Sequence, residues 1–375
     1  LALYVHWPFC LSKCPYCDFN SHVRASWDDL AWAEALLADL RHEAALLGRR
    51  PLASIFFGGG TPSLMPPATA GALIDEAARL FDPAQDLEIT IEANPSSVEA
   101  VRFAGFRAAG VNRVSLGLQA LDDAALRFLG RAHGVGEGLA ALDLAQRTFP
   151  RVSFDLITAR PGQSVAEWAS ELSRALAFGT EHLSLYQLTI EPGTRFQTLH
   201  ARGEIALPDE DIATELWDVT QALTGAAGLP AYETSNHARP GAESRHNLAY
   251  WTYGDYAGIG PGAHGRRAGT ATVRHKKPEN WLAAVGERGH GINEETALEP
   301  VARAEEALLV GLRLTDGIDK ARFAERTGLE LAAAVRLGAV AELSALGLLV
   351  DTPDRLALTV QGRPLLNAVL AKITA

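Results

Sequence analysis

The sequence is poor in cysteine, has no long apolar run and carries no surplus of positive charge. Its 375 residues include only three cysteines, Cys10, Cys14 and Cys17. Three thiols cannot all pair, and a disulfide scaffold for so long a chain would spread its cysteines out. A disulfide framework is therefore excluded. The clustering points to a reducing, cytoplasmic compartment and to one local site that uses all three. No apolar run approaches the roughly 18–20 residues that span a bilayer. The start at Leu1 shows no charged segment, apolar stretch and cleavage site of a secretory signal. Asp and Glu number 45 against 34 Lys and Arg, a net charge of −11. That balance argues against a general binder of nucleic acid or anionic membrane. Low-complexity tracts and internal repeats are also lacking.

What is present reads as a soluble globular protein, 47% hydrophobic and 21% charged. The length suggests two domains, or one large α/β barrel with an appendage. Up to residue 190, strand-like and helix-like segments alternate. Apolar runs predict strands at 1–6, 53–57, 87–93, 113–118, 152–157 and 183–189. Helical periodicity predicts helices at 26–47, 69–81, 97–109, 136–148 and 164–178, the first opened by a capping box from Ser26 to Asp29. Six strands separated by helices imply a parallel sheet with right-handed crossovers, as a barrel or an open doubly wound sheet. Either form binds ligands at the carboxyl ends of its strands. The cysteines follow the first strand, Gly58-Gly59-Gly60 the second, and Glu92 ends the third.

Residues 191–298 are less regular: a helix at 209–226, then a stretch rich in Gly and aromatics from Tyr232 to Trp281. Residues 299–375 predict helices at 301–313, 319–326 and 331–346, a hairpin at 348–350 and 355–359, and a last helix at 361–373. Helices followed by a hairpin suggest a small winged-helix-like domain. Its nine Lys and Arg against ten Asp and Glu lack the basic footprint of a DNA reader.

Cys10-Leu-Ser-Lys-Cys14-Pro-Tyr-Cys17 places three thiolates on one loop. A structural zinc site would need a fourth ligand, with His22 nearby, but such sites usually draw paired ligands from two loops. An iron–sulfur cluster is the better reading. Three cysteines on a four-iron cluster leave one iron free to bind another molecule. Cys-x3-Cys-x2-Cys after the first strand, preceded by Tyr4-Val-His-Trp-Pro-Phe and followed by Asp18-Phe19, resembles the radical SAM superfamily. The resemblance implies an α/β fold, a partial (βα)6-type barrel over 1–190, with an irregular α+β extension over 191–298 and the winged-helix-like domain over 299–375. It also implies a 4Fe–4S cluster on Cys10, Cys14 and Cys17, with S-adenosylmethionine (SAM) chelating the fourth iron.

Glycines after a strand let a ligand approach the backbone, and Gly58-Gly59-Gly60-Thr61-Pro62 fits neither the phosphate loop nor the dinucleotide fingerprint. Taken alone, Glu92 and Gln119 are either structural or ligand-binding, and an isolated Arg131 or Asp155 is more often an ion-pair member. Resemblance to the coproporphyrinogen-oxidase-like branch implies that Tyr4, Tyr16, Gly59, Gly60, Thr61, Glu92, Gln119, Arg131 and Asp155 contact SAM. The chain departs from that branch at Thr158-Ala-Arg160-Pro-Gly-Gln163, where Tyr-Gly-Leu-Pro-Gly is common. Thr158 and Arg160 are therefore assigned no role.

Within the branch, two groups are similar along nearly the whole chain: the oxygen-independent coproporphyrinogen III oxidases and the HemW-like haem chaperones. The oxidases typically carry a fourth cysteine two residues after the third, where this chain has Phe19, and a longer segment before the cluster strand. His246-Asn-Leu-Ala-Tyr250-Trp251 matches the HNxxYW motif associated with haem in the chaperones. The resemblance thus implies haem as a third cofactor, with His246 as its ligand and His237, His264 and His275 as competitors. Tyr250 and Trp251 would lie against the ring, and Arg245, Arg266 and Arg267 are candidates for its propionates. The implied partners are acceptor haemoproteins and an electron donor, with no nucleic acid and with transient membrane contact left open. SAM cleavage to methionine and a 5′-deoxyadenosyl radical is implied as a capacity. Its catalytic use is not, no catalytic residue is assigned, and oxidase activity on coproporphyrinogen is not expected.

Overall fold

The computed structural model describes residues 1–374. Its first half is a run of βα units: β1 (Ala2–Trp7), α1 (Asp29–Leu47), β2 (Pro51–Gly59), α2 (Pro67–Leu80), β3 (Asp82–Ala93), β4 (Arg113–Gln119), α3 (Val135–Thr148), β5 (Arg151–Thr158), α4 (Val165–Leu176) and β6 (His182–Gln187). The six strands pair in sequence order and all in parallel. Strands in sequence order with right-handed crossovers place their helices on one face, which is apolar, while the other face carries polar residues such as Thr90, Arg113, Ser115, Ser153 and Ser184 and curves inward. Leu3, Val5, Trp7, Ile55, Phe57, Ile91, Val114, Leu116, Phe154 and Leu183 belong to one buried core. All six strands read from the sequence are present.

The sheet does not stop at β6. After α5 (Glu210–Ala226), the short β7 (Asn236–Ala238) pairs antiparallel with β6. The chain then crosses through α6 (Arg245–Trp251) to the other edge, where β8 (Tyr256–Ile259) lies parallel to β1. Three antiparallel strands complete that edge: β9 (His264–Arg267), β10 (Thr270–Arg274) and, after α7 (Pro278–Arg288), β11 (Ile292–Ala297). The result is an eleven-stranded sheet whose outer strands, β7 and β11, do not meet. The barrel is therefore partial and open, and the irregular region supplies strands to both of its edges.

The short edge strands are held by a buried ionic knot. On β10, Arg274 Nε donates to Asp39 Oδ2 at 3.0 Å and Nη2 to Glu43 Oε1 at 2.7 Å, both carboxylates lying on α1. Asp39 also accepts from Trp281 Nε1, Gly260 N and Gly291 N. Beside it, Trp281 of α7 stacks on Trp32 of α1 at 5.2 Å. All three charged groups are fully buried, so each depends on the others.

Several local expectations are corrected. The first helix is capped by Asp28, which accepts from the amides of Leu30 and Ala31, not by a box from Ser26. The capping box that does form joins Ser164 and Glu167 at the start of α4. The helix read at 97–109 is two short pieces, Ser97–Ala100 and Phe103–Ala108, with Arg102 between them bonded to the carbonyls of Ser63 and Leu64. Asp123–Phe128 is a helix that the sequence reading left out.

The C-terminal region has a second core, with α8 (Pro300–Gly311), α9 (Lys320–Thr327) and further helices on a small sheet that contains the expected hairpin, Leu349–Asp351 with Arg355–Leu358. The helix read at 331–346 breaks at Val335, which is extended and bridges to Thr374. Among the described residues no helix is long and apolar enough to cross a membrane.

Removing the cation of the buried knot leaves Asp39 without a counter-charge and Glu43 with only Arg267, at 3.8 Å. Arg274→Ala is expected to lower stability by about 3–5 kcal/mol in urea denaturation. A loss well under 1 kcal/mol would show that the knot does not hold the edge strands.

Candidate cluster and cofactor site

The cysteine loop leaves β1 at the carboxyl edge of the sheet and is pinned at its far end. Asn20 donates to the carbonyls of Pro261 and Lys276, each at 2.9 Å, and its own carbonyl meets His6 Nε2 at 2.9 Å. Within the loop, Cys17 N donates to Cys14 O at 3.2 Å, which turns the chain so that Cys14 and Cys17 share one side. Cys10 is buried, and the other two are half-buried. Thr61 Oγ1 donates to Cys10 Sγ at 3.3 Å, and Arg131 Nη1 to Cys14 Sγ at 3.5 Å. Burial pushes the Cys10 and Cys17 thiols up, so a bound metal is needed to hold thiolates there.

The glycine turn after β2 abuts this loop. Gly60 N donates to Trp7 O at 2.7 Å and Thr61 N to Phe9 O at 2.9 Å. A Cβ on Gly60 would lie 2.8 Å from Phe9 O and 2.9 Å from Pro8 O. Gly59 has φ +113°, and its Cβ would meet the His6 ring at 2.6 Å. Here glycine is required by both conformation and space.

A cavity of about 210 Å³ opens between loop and turn. It is lined by Cys10, Cys14, Cys17, Tyr16, Gly59, Gly60, Thr61, Glu92, Gln119, Arg131 and Asp155. Every expected cluster or SAM residue except Tyr4 is thus gathered in one place. Gln119 ends β4 with φ 71°, unusual for a residue with a side chain. Arg131 donates to Asn94 Oδ1 at 2.5 Å and Gly117 O at 2.9 Å, while its buried Nε has no partner among the described residues. Asn94 also donates to Thr61 Oγ1 at 3.1 Å. Asn94, two residues after Glu92, is a site residue that the sequence motifs did not mark.

Burial, then the nearby Asp155, pushes the Glu92 carboxyl up to about 8. Burial pushes Asp155 up to about 6, partly offset by hydrogen bonds from Ser184 and Ser115. Two buried carboxyls without a full counter-charge suit a cationic ligand, and the free Arg131 Nε suits an acceptor. SAM carries a sulfonium, an amino group and a carboxylate, so this residue set fits it. The cysteines fit a cluster rather than a single ion. Among the described residues no three His, Cys, Asp or Glu surround one metal position, and thiolates on separate irons need not. His22 hydrogen-bonds Asn20 Oδ1 at 3.2 Å and does not join the thiols.

Tyr4 lies next door. It lines an adjoining mouth cavity of about 570 Å³ with His6, Lys13, Tyr250, Tyr256 and His264, and the two cavities share Gly59 and Glu92. Its hydroxyl bonds His6 Nδ1 at 3.0 Å. His6, Tyr250 and Tyr256 were not foreseen at the mouth.

The structure does not present His246 as an open ligand. Its ring is buried between Phe56 (4.7 Å) and Tyr4 (6.1 Å). Nδ1 meets Ser54 Oγ at 3.2 Å and Nε2 meets the Tyr250 hydroxyl at 3.1 Å. Burial lowers its pKa to about 3, so the ring is neutral. Of the competing histidines, His237 is buried on β7, His275 lies beside Arg288 at 3.4 Å and His264 faces the mouth. The arginines named for propionates already have carboxylates: Arg245 pairs with Asp86, Arg266 with Glu306, and Arg267 with Glu295. The divergent stretch is structural, with Arg160 in a buried pair with Glu171.

The fold and this site define a radical SAM protein. The model of the radical SAM superfamily matches residues 4–174, and that of the HemN C-terminal domain matches residues 298–365. The chain is 38% identical over 384 residues to the heme chaperone HemW of Escherichia coli K12, covering 99% of this chain and 97% of that one. It is 34% identical over 370 residues to the Bacillus subtilis heme chaperone HemW, covering 98% and 97%. It is 42% identical over 326 residues to the mitochondrial radical S-adenosyl methionine domain-containing protein 1 of Bos taurus, covering 84% and 74%. On these matches the chain belongs to the HemW family of the radical SAM superfamily. The solved coproporphyrinogen III oxidase HemN of Escherichia coli has the same fold, with a TM-score of 0.81 over 99% of this chain and 89% of that one, at 24% identity. Membership of the superfamily implies a 4Fe–4S cluster and SAM.

Two expectations follow. Gly60→Ala should fold but lose most of its reconstituted iron, because the new methyl displaces the backbone before Cys10; full iron content would show that the contact is not needed. Glu92, with its pKa raised from 4.5 to about 8, favours the folded state while protonated. Its contribution is complete below about pH 4.5 and is lost as pH rises through about 8. The melting temperature of the cofactor-free protein should fall across that window, and less steeply in Glu92→Gln; equal slopes would contradict the assignment.

Proposed function

We propose that this chain is a haem chaperone: a radical SAM protein that binds haem and passes it to acceptor haemoproteins. The supporting observation is the similarity to heme chaperones along 99% of the chain. In this reading Cys10, Cys14 and Cys17 hold three irons of the cluster. SAM binds the fourth. Thr61 and Arg131 donate hydrogen bonds to the ligating sulfurs, which favours the charged form of the cluster. Glu92 and Asp155, which line the same cavity, would serve the cationic parts of SAM, and Gly59 and Gly60 would let it approach the backbone. A cluster held there would, when reduced, supply an electron to SAM, and an electron donor would renew it. A reducing compartment such as the cytoplasm suits the three free thiols.

The competing reading is coproporphyrinogen oxidase. Phe19 stands where that enzyme typically has a fourth cysteine, and it is 59% exposed at the wall shared by the two cavities. Anaerobic reconstitution is expected to give about four irons and four sulfides per chain, lost in Cys10→Ser, Cys14→Ser and Cys17→Ser. The loaded protein should bind haem in a titration and leave coproporphyrinogen III intact. Decarboxylation would establish the oxidase, and stoichiometric zinc without sulfide would overturn the radical SAM site.

A further inference from the structure

The cysteine loop borders two cavities. The inner one holds Glu92, Asp155 and the glycine turn. The outer one, of about 570 Å³, is bounded instead by the ends of two short helices, Asp123–Phe128 and Arg195–Ala201. Cys14 and Cys17 line both cavities, whereas Cys10 lines only the inner one. No residue expected to contact SAM lines the outer cavity.

The outer wall is firmly built. Phe196 N donates to Pro15 O at 2.9 Å, which ties the cysteine loop to the second helix. The Phe196 ring packs on Phe128 at 4.9 Å and on Tyr16 at 6.2 Å. Gly130 has φ +68°, and a Cβ there would meet Pro15 Cδ at 2.5 Å, so this side of the loop is also closely packed.

The charge of the wall is of one sign. Lys13, Arg127 and Arg195 line it, all three exposed, and no Asp or Glu does. Among the described residues none of the three is in an ion pair. The acids close to them in sequence are engaged elsewhere. Asp122 caps its helix, Asp123 accepts from Val135 N at 2.8 Å, Glu191 accepts from the Thr189 hydroxyl at 2.7 Å, and Asp18 lines the mouth cavity. An acid-free cationic patch runs against the net charge of −11. Nucleic acid and anionic membrane present extended negative surfaces that the rest of the chain repels. A small protein with an acidic face covers the patch alone.

Electron tunnelling weakens steeply with distance, so a donor must sit where a cluster thiolate comes near the surface. On the inner side that place is taken by SAM. We propose that the outer cavity is the docking site of the electron donor, a small one-electron carrier protein whose acidic face meets Lys13, Arg127 and Arg195. The electron enters through Cys14 and Cys17. The carrier is oxidised by one electron and the cluster is reduced by one; no bond forms or breaks. The proposal rests on the radical SAM reading of the cysteines and is independent of the haem reading.

The test follows cluster absorbance in anaerobic stopped flow, with the cluster-loaded full chain and two reductants. One is a reduced plant-type ferredoxin, as an acidic protein probe. The other is the methyl viologen radical, a small cation that needs no docking surface. Ferredoxin should reduce the wild type, more slowly as salt is raised. The double variant Arg127→Glu, Arg195→Glu should slow this by about tenfold or more at low salt, and Arg127→Lys, Arg195→Lys should keep the wild-type rate. Methyl viologen should reduce the Glu variant no more slowly than the wild type, which also shows that its cluster is intact. Binding of oxidised ferredoxin to the cluster-free chain should weaken in parallel. No reduction of the wild type by ferredoxin, or a rate indifferent to salt or to the Glu variant, would overturn the docking site and leave the cluster assignment standing. Failure of methyl viologen to reduce the wild type would overturn the cluster assignment as well.

Discussion

Gly60 lies against the backbone of Pro8 and Phe9 with no room for a side chain between them. This contact fixes where the cysteine loop begins. It works only because β1 and β2 are parallel and in a register that sets His6 opposite Gly58 and Trp7 opposite Gly59. The turn after β2 then falls beside the residues that lead into Cys10. From it a chain of hydrogen bonds runs along the carboxyl edge: Thr61 to Cys10, Asn94 to Thr61, Arg131 to Asn94, and Arg131 to Cys14. A shift of one residue between β1 and β2 would break it at the first link. Site geometry is thus a consequence of strand register, and so of the hydrophobic pattern that sets it.

The same edge carries electrostatic tension. Glu92 and Asp155 are buried near each other, and the Arg131 Nε lacks an acceptor. A buried nitrogen such as this one costs about 1–3 kcal/mol when left unsatisfied, and burial raises both carboxyls against their charged forms. A protein selected only for stability would fill these positions with apolar side chains. Their presence on β3, on β5 and in one loop is explained by a ligand that carries both signs of charge. The buried knot of Arg274, Asp39 and Glu43 differs: its charges satisfy one another and bind strands to a helix.

How far the sequence could be read follows from how local each feature is. The six parallel strands were legible because each carries apolar residues at consecutive or alternating positions, bounded by a helix or turn. The cysteines and glycines were legible because their spacing alone carries chemistry. β7 to β11 were not: they are three to six residues long, mixed in composition, and become strands only by adding to an existing edge. Ser26 looked like a helix cap because its spacing to Asp29 is right, but Asp28 reaches two backbone amides and wins. Asn94 was passed over because its role comes from Thr61 and Arg131, which meet it only in three dimensions.

The HNxxYW stretch shows the limit of a motif most clearly. Read as a string, it invites His246 to be the iron ligand and Tyr250 and Trp251 to share one ring. Folded as α6, the same residues diverge. Tyr250 is at the cofactor mouth, and His246 sits beneath it with both nitrogens occupied. Trp251 lines a different cavity, of about 740 Å³, toward the C-terminal region. The helix is therefore a partition between two cavities, one beside the cysteines and one beside α9. Its polar residues fix it to the barrel through Ser54 and Tyr4, and its end is fixed to α9 through Thr252 and Arg326. A movement of α9 would pull on α6, and α6 bears on Tyr4 at the mouth. That gives the two cavities a short, physically continuous connection, through one seven-residue helix and the aromatic stack beneath it.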